Sequence, residues 1–204
     1  MKNFFFPFLL LIIISCKPKT SDYTDTIKLF QYELNTNYSD AEKSPLTEED
    51  LKTFKALDFF DIDKNYLVEA SLELTPNAPI FEMQTTTVRL PLYKKYGIAR
   101  FTLNGEKCEL NVYQSLDLMT SLDYANYLFL PFNDNTNGKT SYGGGRFIDL
   151  EIPEDGSKTI VIDFNKSYNP YCAYNHKYSC PIPPSENNLN VEISAGVKAY
   201  KEQH

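Results

Sequence analysis

Residues 98–114 read Ile-Ala-Arg-Phe-Thr-Leu-Asn-Gly-Glu-Lys-Cys-Glu-Leu-Asn-Val-Tyr-Gln, and this stretch decides the fold class. Asn104-Gly105 is the strongest hairpin signal in the chain, because both residues accept the positive φ that a two-residue turn between twisted strands demands. The turn pairs residues 98–103 with residues 107–114. In the second arm Cys108 alternates with Leu110 and Val112, which predicts a buried apolar thiol on the core face.

The period of two extends on both sides of the hairpin. Upstream, Tyr66, Val68, Ala70, Leu72 and Leu74 alternate with Leu67, Glu69, Ser71 and Glu73, a half-buried strand. Residues 86–93, 127–132, 146–152, 158–164 and 189–194 read as further strands. About eight strands at short spacing predict a mainly β (α+β) domain, an antiparallel β-sandwich or barrel.

Before residue 60 the period is helical. Tyr23, Ile27, Phe30 and Leu34 recur at spacings of four, three and four, and a polar loop is expected over residues 35–44. Thr47 then opens a second helix, with Asp50 three residues on as capping-box partner and Leu46 placed to staple against Leu51. Two short N-terminal helices within residues 23–57 should pack on the sheet. Residues 23–204 are expected to form a single β-rich domain.

The start of the chain carries an address. Lys2 precedes an apolar run over residues 4–14, broken only by Pro7, and Ile13-Ile14-Ser15-Cys16 has the form of a lipobox. Eleven residues are too short to span a bilayer, where roughly 20 are needed, but they suit the apolar core of a signal peptide. Residues 1–15 are therefore expected to be cleaved. Cys16 would carry diacylglycerol and further acyl chains of the palmitate type, and residues 16–22 would form a lipidated tether. Several chains anchor far more firmly than one. The expected place is a bacterial cell envelope, lipid-anchored, with the membrane as partner through Cys16.

Charge narrows the partners. The chain holds 20 Lys and Arg against 27 Asp and Glu, a net charge of −7, and cleavage before Cys16 would remove Lys2 as well. No basic footprint for nucleic acid exists.

Two polar stretches interrupt the β pattern. They contain Tyr142-Gly-Gly-Gly-Arg146, Asp149-Leu150, Asp163-Phe164-Asn165, Tyr168-Asn169-Pro170, Cys172-Ala173-Tyr174, Cys180-Pro-Ile-Pro-Pro184 and Glu186-Asn187. This combination resembles the bacterial family called domain of unknown function 1684, as do Ser44-Pro-Leu-Thr47 and Phe129-Leu-Pro-Phe132. The resemblance covers nearly all the chain after Cys16. It implies export or lipid anchoring and marks where a site would lie, without implying an activity. The candidate pocket residues are Asp134, Tyr142, Arg146, Asp149, Asp163, Asn165, Tyr168, Asn169, Glu186 and Asn187.

Periodicity adds a physical expectation at Arg146. It shares a face with Ile148, Leu150 and Ile152, whereas Asp149 and Glu151 fall on the other. A guanidinium entering the interior needs a carboxylate or an anionic ligand. Asp134, Asp163 or Glu186 could pair with it in an internal salt bridge that orders the loops. Alternatively, Arg146 centres a polar pocket for a small anionic or glycan-like ligand, in a binding domain without catalysis. A carboxylate-dependent hydrolase drawing on Asp134, Asp149, Asp163 and Glu186 is the rival reading. An envelope assembly factor with a tyrosine-rich docking face is the third.

No cofactor or metal is expected. Gly143-Gly144-Gly145 leads into a strand, whereas phosphate loops open a helix. Asn133, Asn135, Asn137 and Gly138 copy half a calcium loop but lack its carboxylates. Cys172-x₃-His176-x₃-Cys180 offers soft ligands without a fourth side chain. Cys172 and Cys180 are instead expected to form a disulfide closing a loop of about nine residues. Tyr168, Tyr171, Tyr174 and Tyr178, with Pro181, Pro183 and Pro184, would cover an open end of the barrel or form an aromatic stacking platform.

Overall fold

A computed structural model describes residues 22–154 and 156–201. Cys16, residues 1–15 and the tether up to residue 21 lie outside the described residues. No helix among the described residues is long and apolar enough to cross a membrane.

Helix α1 (Tyr23–Ser39) runs through what the sequence presented as a loop from residue 35. Its added turn is anchored by burial, since Tyr38 packs edge-on against Tyr174 at 4.9 Å between ring centres. Helix α2 (Glu48–Thr53) starts as expected, with Thr47 Oγ1 accepting from the Asp50 N–H at 3.1 Å. Three acidic residues sit in its first turn, where the helix dipole favours them.

Seven strands follow: β1 (Leu67–Leu74), β2 (Ile80–Glu82), β3 (Leu92–Leu103), β4 (Glu106–Ser115), β5 (Tyr127–Phe132), β6 (Arg146–Glu151) and β7 (Thr159–Asp163). They form one antiparallel sheet in the order β6-β5-β4-β3-β1-β7, with β2 on β3. The sheet curls into a half-barrel. Asn104 (φ 52°) and Gly105 (φ 85°) make the hairpin turn between β3 and β4.

Two expected strands are absent. Residues 86–91 are irregular, and β3 instead runs unbroken through a bulge between Lys95 and Gly97. The extra residue flips the side-chain parity, so Tyr93 faces the opposite side of the sheet from Ala99 and Phe101. Residues 189–194 also form no strand, although Leu189, Val191 and Ile193 alternate into the core as their pattern demanded.

The concave face holds the main core: Ala70, Leu72, Ala99, Leu110, Val112, Leu128, Leu130, Phe132, Ile148 and Ile162, closed by the segment from Leu189 to Ala195. The convex face is not simply solvated. Tyr93, Tyr113, Phe129 and Phe147 form a second apolar layer there with Met83. Cys108 is buried, as its alternation required.

β4 and β5 share a single paired position, Tyr113 opposite Phe129. Where they splay, the wholly buried Asn187 side chain takes the place of a strand. Its amide donates to the carbonyls of Asn111 (2.9 Å) and Pro131 (2.6 Å), and its oxygen accepts from the Asn111 N–H (2.9 Å). One side chain thus satisfies three buried backbone groups.

Candidate functional site

The sequence offered Arg146 either as half of an internal salt bridge or as the centre of a polar pocket. Arg146 is wholly buried and pairs with Asp134, one of the carboxylates the sequence named for it. Its Nη2 lies 2.8 Å from Asp134 Oδ2 and donates to the Ile193 carbonyl at 2.7 Å, while Nη1 donates to the Ala195 carbonyl. Asp134 Oδ1 in turn accepts from the Ile193 N–H (3.0 Å) and from the Thr136 hydroxyl (2.6 Å). Phe60 and Phe132 pack against the guanidinium. Burial pulls the arginine pKa down from its usual value, and the Asp134 charge acts against that pull. The ion pair thus provides the hydrogen bonds that a neighbouring strand would have given residues 193–195. It is a staple closing the open side of the half-barrel.

The other candidates divide by surroundings. Asp163 Oδ1 accepts from the Tyr23 hydroxyl (2.9 Å), and the Asn165 amide donates to that hydroxyl (2.8 Å) and to the Asp63 carbonyl. These contacts pin the start of α1. The Asn169 amide donates to the Lys198 carbonyl at 2.8 Å. Asn187 is the strand substitute already described, and Glu186 is exposed beside it. Tyr142 lies across Gly144, its hydroxyl 4.0 Å from Cys172 Sγ. Gly145, at φ 88°, passes so close to Pro183 and to the Phe132 carbonyl that a Cβ would sit 2.5 Å and 2.8 Å from them. The glycine run serves close backbone approach, as its entry into a strand implied.

Asp149 and Tyr168 stand apart from this framework. β6 turns Asp149 to the convex face, and there its Oδ1 accepts from the hydroxyls of Tyr168 (2.6 Å) and Tyr127 (2.8 Å). Both phenol pKa values are raised, first by burial and then by the Asp149 charge, so both groups remain donors. Oδ2 has no hydrogen-bond partner among the described residues.

Asp149 opens into a cleft of about 420 Å³. Its floor is the convex face of the sheet: Tyr93, Tyr127, Phe129 and Phe147. One wall is α1, through Phe30, Leu34 and Tyr38; the other is Tyr168, Tyr171, Tyr178, Cys180 and Pro181. Of the four tyrosines weighed as a platform or a cover, Tyr168, Tyr171 and Tyr178 line the cleft. Tyr174 turns into the small core beneath α1.

The sequence reading assigned the cleft's floor to strands without singling it out. A signal was present: Tyr127 and Phe129 alternate with Leu128 and Leu130, so β5 is apolar on both faces.

The carboxylates considered for acid–base work do not meet. Asp134 is locked to Arg146, Asp163 is buried beside Tyr23 and Asn165, and Glu186 is exposed beside Asn187, away from the cleft. Asp149 is the one carboxylate on the cleft wall among the described residues. No group of three or more His, Cys, Asp or Glu placed to hold a metal occurs among them either.

Cys172 and Cys180, expected to be bonded, meet beside the cleft but stand as free thiols. The Cys172 N–H donates to Cys180 Sγ at 3.1 Å.

Residues 52–198 match the family profile described as Protein of unknown function (DUF1684). The chain belongs to this family. The DUF1684 span contains the floor of the cleft and its wall at residues 168–181, while α1 and residues 44–47 precede it. A similar solved structure is the solution NMR structure of an uncharacterized protein of Haloarcula marismortui. It is 32% identical, with a TM-score of 0.68, over 86% of this chain and 94% of that one. That relative is archaeal, whereas the resemblance had suggested a bacterial family. No curated protein matches the chain.

Proposed function

We propose that this DUF1684 protein is a lipid-anchored envelope binding domain. Its ligand would be a small, neutral, glycan-like ring held in the aromatic cleft beside Asp149. The observation that carries the proposal is the state of that carboxylate. One oxygen is held by two phenols, which orient it, and the other is left for a ligand at the end of an aromatic cleft.

The chemistry selects the ligand class. A sugar ring has apolar C–H faces that pack on tyrosine and phenylalanine, and hydroxyls that donate to a carboxylate. The volume falls within the range of about 300–1,000 Å³ typical of small-ligand sites. An anion is disfavoured at the Asp149 end, because Asp149 is the charged side chain lining the cleft among the described residues. Anchoring through Cys16 rests on the lipobox and would hold the cleft at an envelope surface.

The test is ligand-observed NMR of the detergent-solubilised full chain with a panel of neutral mono- and disaccharides. Binding is expected to weaken roughly 10- to 100-fold in Asp149→Ala, as befits loss of hydrogen bonds to a charged acceptor. Glu186→Gln should bind as the parent does. Equal affinity of Asp149→Ala and parent would refute the site. Palmitate labelling, abolished by Cys16→Ala, would test the anchor.

A further inference from the structure

We propose that Cys172 and Cys180 are a reversible dithiol–disulfide pair whose closure fixes the outer wall of the aromatic cleft. As regulation of that site, the inference rests on the cleft being a ligand site, but the thiol chemistry is testable without any ligand.

The geometry carries it. The Cys172 N–H points at Cys180 Sγ from 3.1 Å, and both residues are almost fully buried, at 5% and 6% exposure. Cys180 itself lines the cleft, and the seven residues between the pair include Tyr178 of the wall. The Cys180 end is tethered to the threonine segment, with the Thr86 N–H donating to the Cys180 carbonyl (2.9 Å) and the Cys180 N–H to Thr86 Oγ1 (3.2 Å). The wall beside it is tied further by the Thr87 hydroxyl to Ser179 (2.6 Å) and by Arg89 Nε to the same oxygen (3.2 Å). The Cys172 end has Tyr142 at 4.0 Å. A covalent link would join these two anchored ends across the wall.

The two thiols are not equivalent. The hydrogen bond from Cys180 pulls the Cys172 pKa down to about 7, against the effect of burial. Cys180 is correspondingly pushed up. The two sulfurs share a proton, which favours a thiolate within the pair. The oxidant class is a disulfide, either oxidised glutathione or a dithiol–disulfide oxidoreductase. The thiolate of the pair attacks one of its sulfurs and expels a thiolate. The other cysteine loses its proton to solvent, attacks the protein sulfur of the mixed disulfide and expels the second thiolate. Two thiols and one disulfide thus become one internal disulfide and two thiols. Cys108, in the opposite core, has no part in this.

The experiment equilibrates the detergent-solubilised full chain in glutathione buffers of graded redox ratio. Free thiols are then trapped by alkylation under denaturing conditions and each cysteine is mapped by peptide mass. The expected result is that Cys172 and Cys180 lose reactivity together at one ratio and appear as a linked peptide, while Cys108 stays alkylated throughout. Reduction should restore both, and Cys172→Ser should leave Cys180 alkylated. Amide hydrogen exchange over residues 173–179 should slow roughly tenfold or more on closure. Alkylation of both thiols in the most oxidising buffer, or a link through Cys108, would overturn the pairing. An unchanged exchange rate in the linked form would overturn the fixing of the wall. Failure of the saccharide panel to bind would count against the ligand reading and leave the thiol map as it stands.

Discussion

Arg146 Nη2 and Asp134 Oδ2 lie 2.8 Å apart with both side chains fully shielded from solvent, and the same two groups hydrogen-bond the backbone at Ile193 and Ala195. Of the two roles the sequence left open for Arg146, the internal salt bridge is the one seen, and it substitutes for strand pairing. It moves the search for function from the concave to the convex face of the sheet.

Removing one partner should be costly. Arg146→Met leaves the Asp134 carboxylate buried without its counter-charge and frees two backbone carbonyls, so a loss of about 3–5 kcal/mol is expected. Urea unfolding checks it. A loss below about 1 kcal/mol would mean that the closure does not depend on the pair.

Asn187→Ala should cost roughly 2–4 kcal/mol, because the Asn111 N–H and the Asn111 and Pro131 carbonyls lose their partner together. Amide exchange at Asn111 should accelerate well beyond that at Leu110, which lies in the regular ladder to β3.

Gly145→Ala should lose about 2–4 kcal/mol, combining a left-handed backbone with the collision against Pro183 and Phe132. Thermal melting would show it directly.

Alkaline pH should destabilise the fold. Burial raises the phenol pKa of Tyr113 to about 12 from 10.0, and pushes Tyr38, Tyr127 and Tyr168 up as well. These phenols keep their protons in the folded chain while the unfolded chain loses them above pH 10. Their contribution to stability is therefore complete below pH 10 and declines as the pH rises towards and beyond 12. Tyrosinate absorbance should rise in two phases, exposed phenols near 10 and the buried set only with unfolding.

Much of the frame was legible because it depends on local chemistry. Asn104-Gly105 can hardly be other than a turn, Thr47 is a cap before an acidic first turn, and the alternation around Ile148 places Arg146 inside and Asp149 outside. What failed to show depends on partners distant in the chain. Residues 189–195 carry a strand's alternation, yet their hydrogen bonds go to the Asn133 and Asn135 backbone and to the Asp134 and Arg146 side chains, some 50 residues upstream. The bulge at residue 96 that turns Tyr93 outward is marked locally by Gly97 alone, where a Cβ would sit 2.8 Å from the Glu73 carbonyl oxygen. The cleft combines α1, β3, β5, β6 and the wall at 168–181; Asp149 and Tyr168 of it had been singled out for a pocket, and Tyr171, Tyr178 and Pro181 for a stacking platform or a cover. The rest are aromatic side chains, which look alike in sequence whether they fill a core or face a ligand.

The central claim is that ligand binding belongs to the Asp149 cleft and not to Arg146. Amide-resolved NMR of the full chain during titration with a neutral disaccharide measures this most directly. Saturable shifts confined to residues 30–38, 93, 127–129, 147–149 and 168–181, absent in Asp149→Ala, are the predicted result. Shifts centred on residues 133–137 and 188–195 around the Arg146–Asp134 pair, with the cleft unmoved, would contradict it.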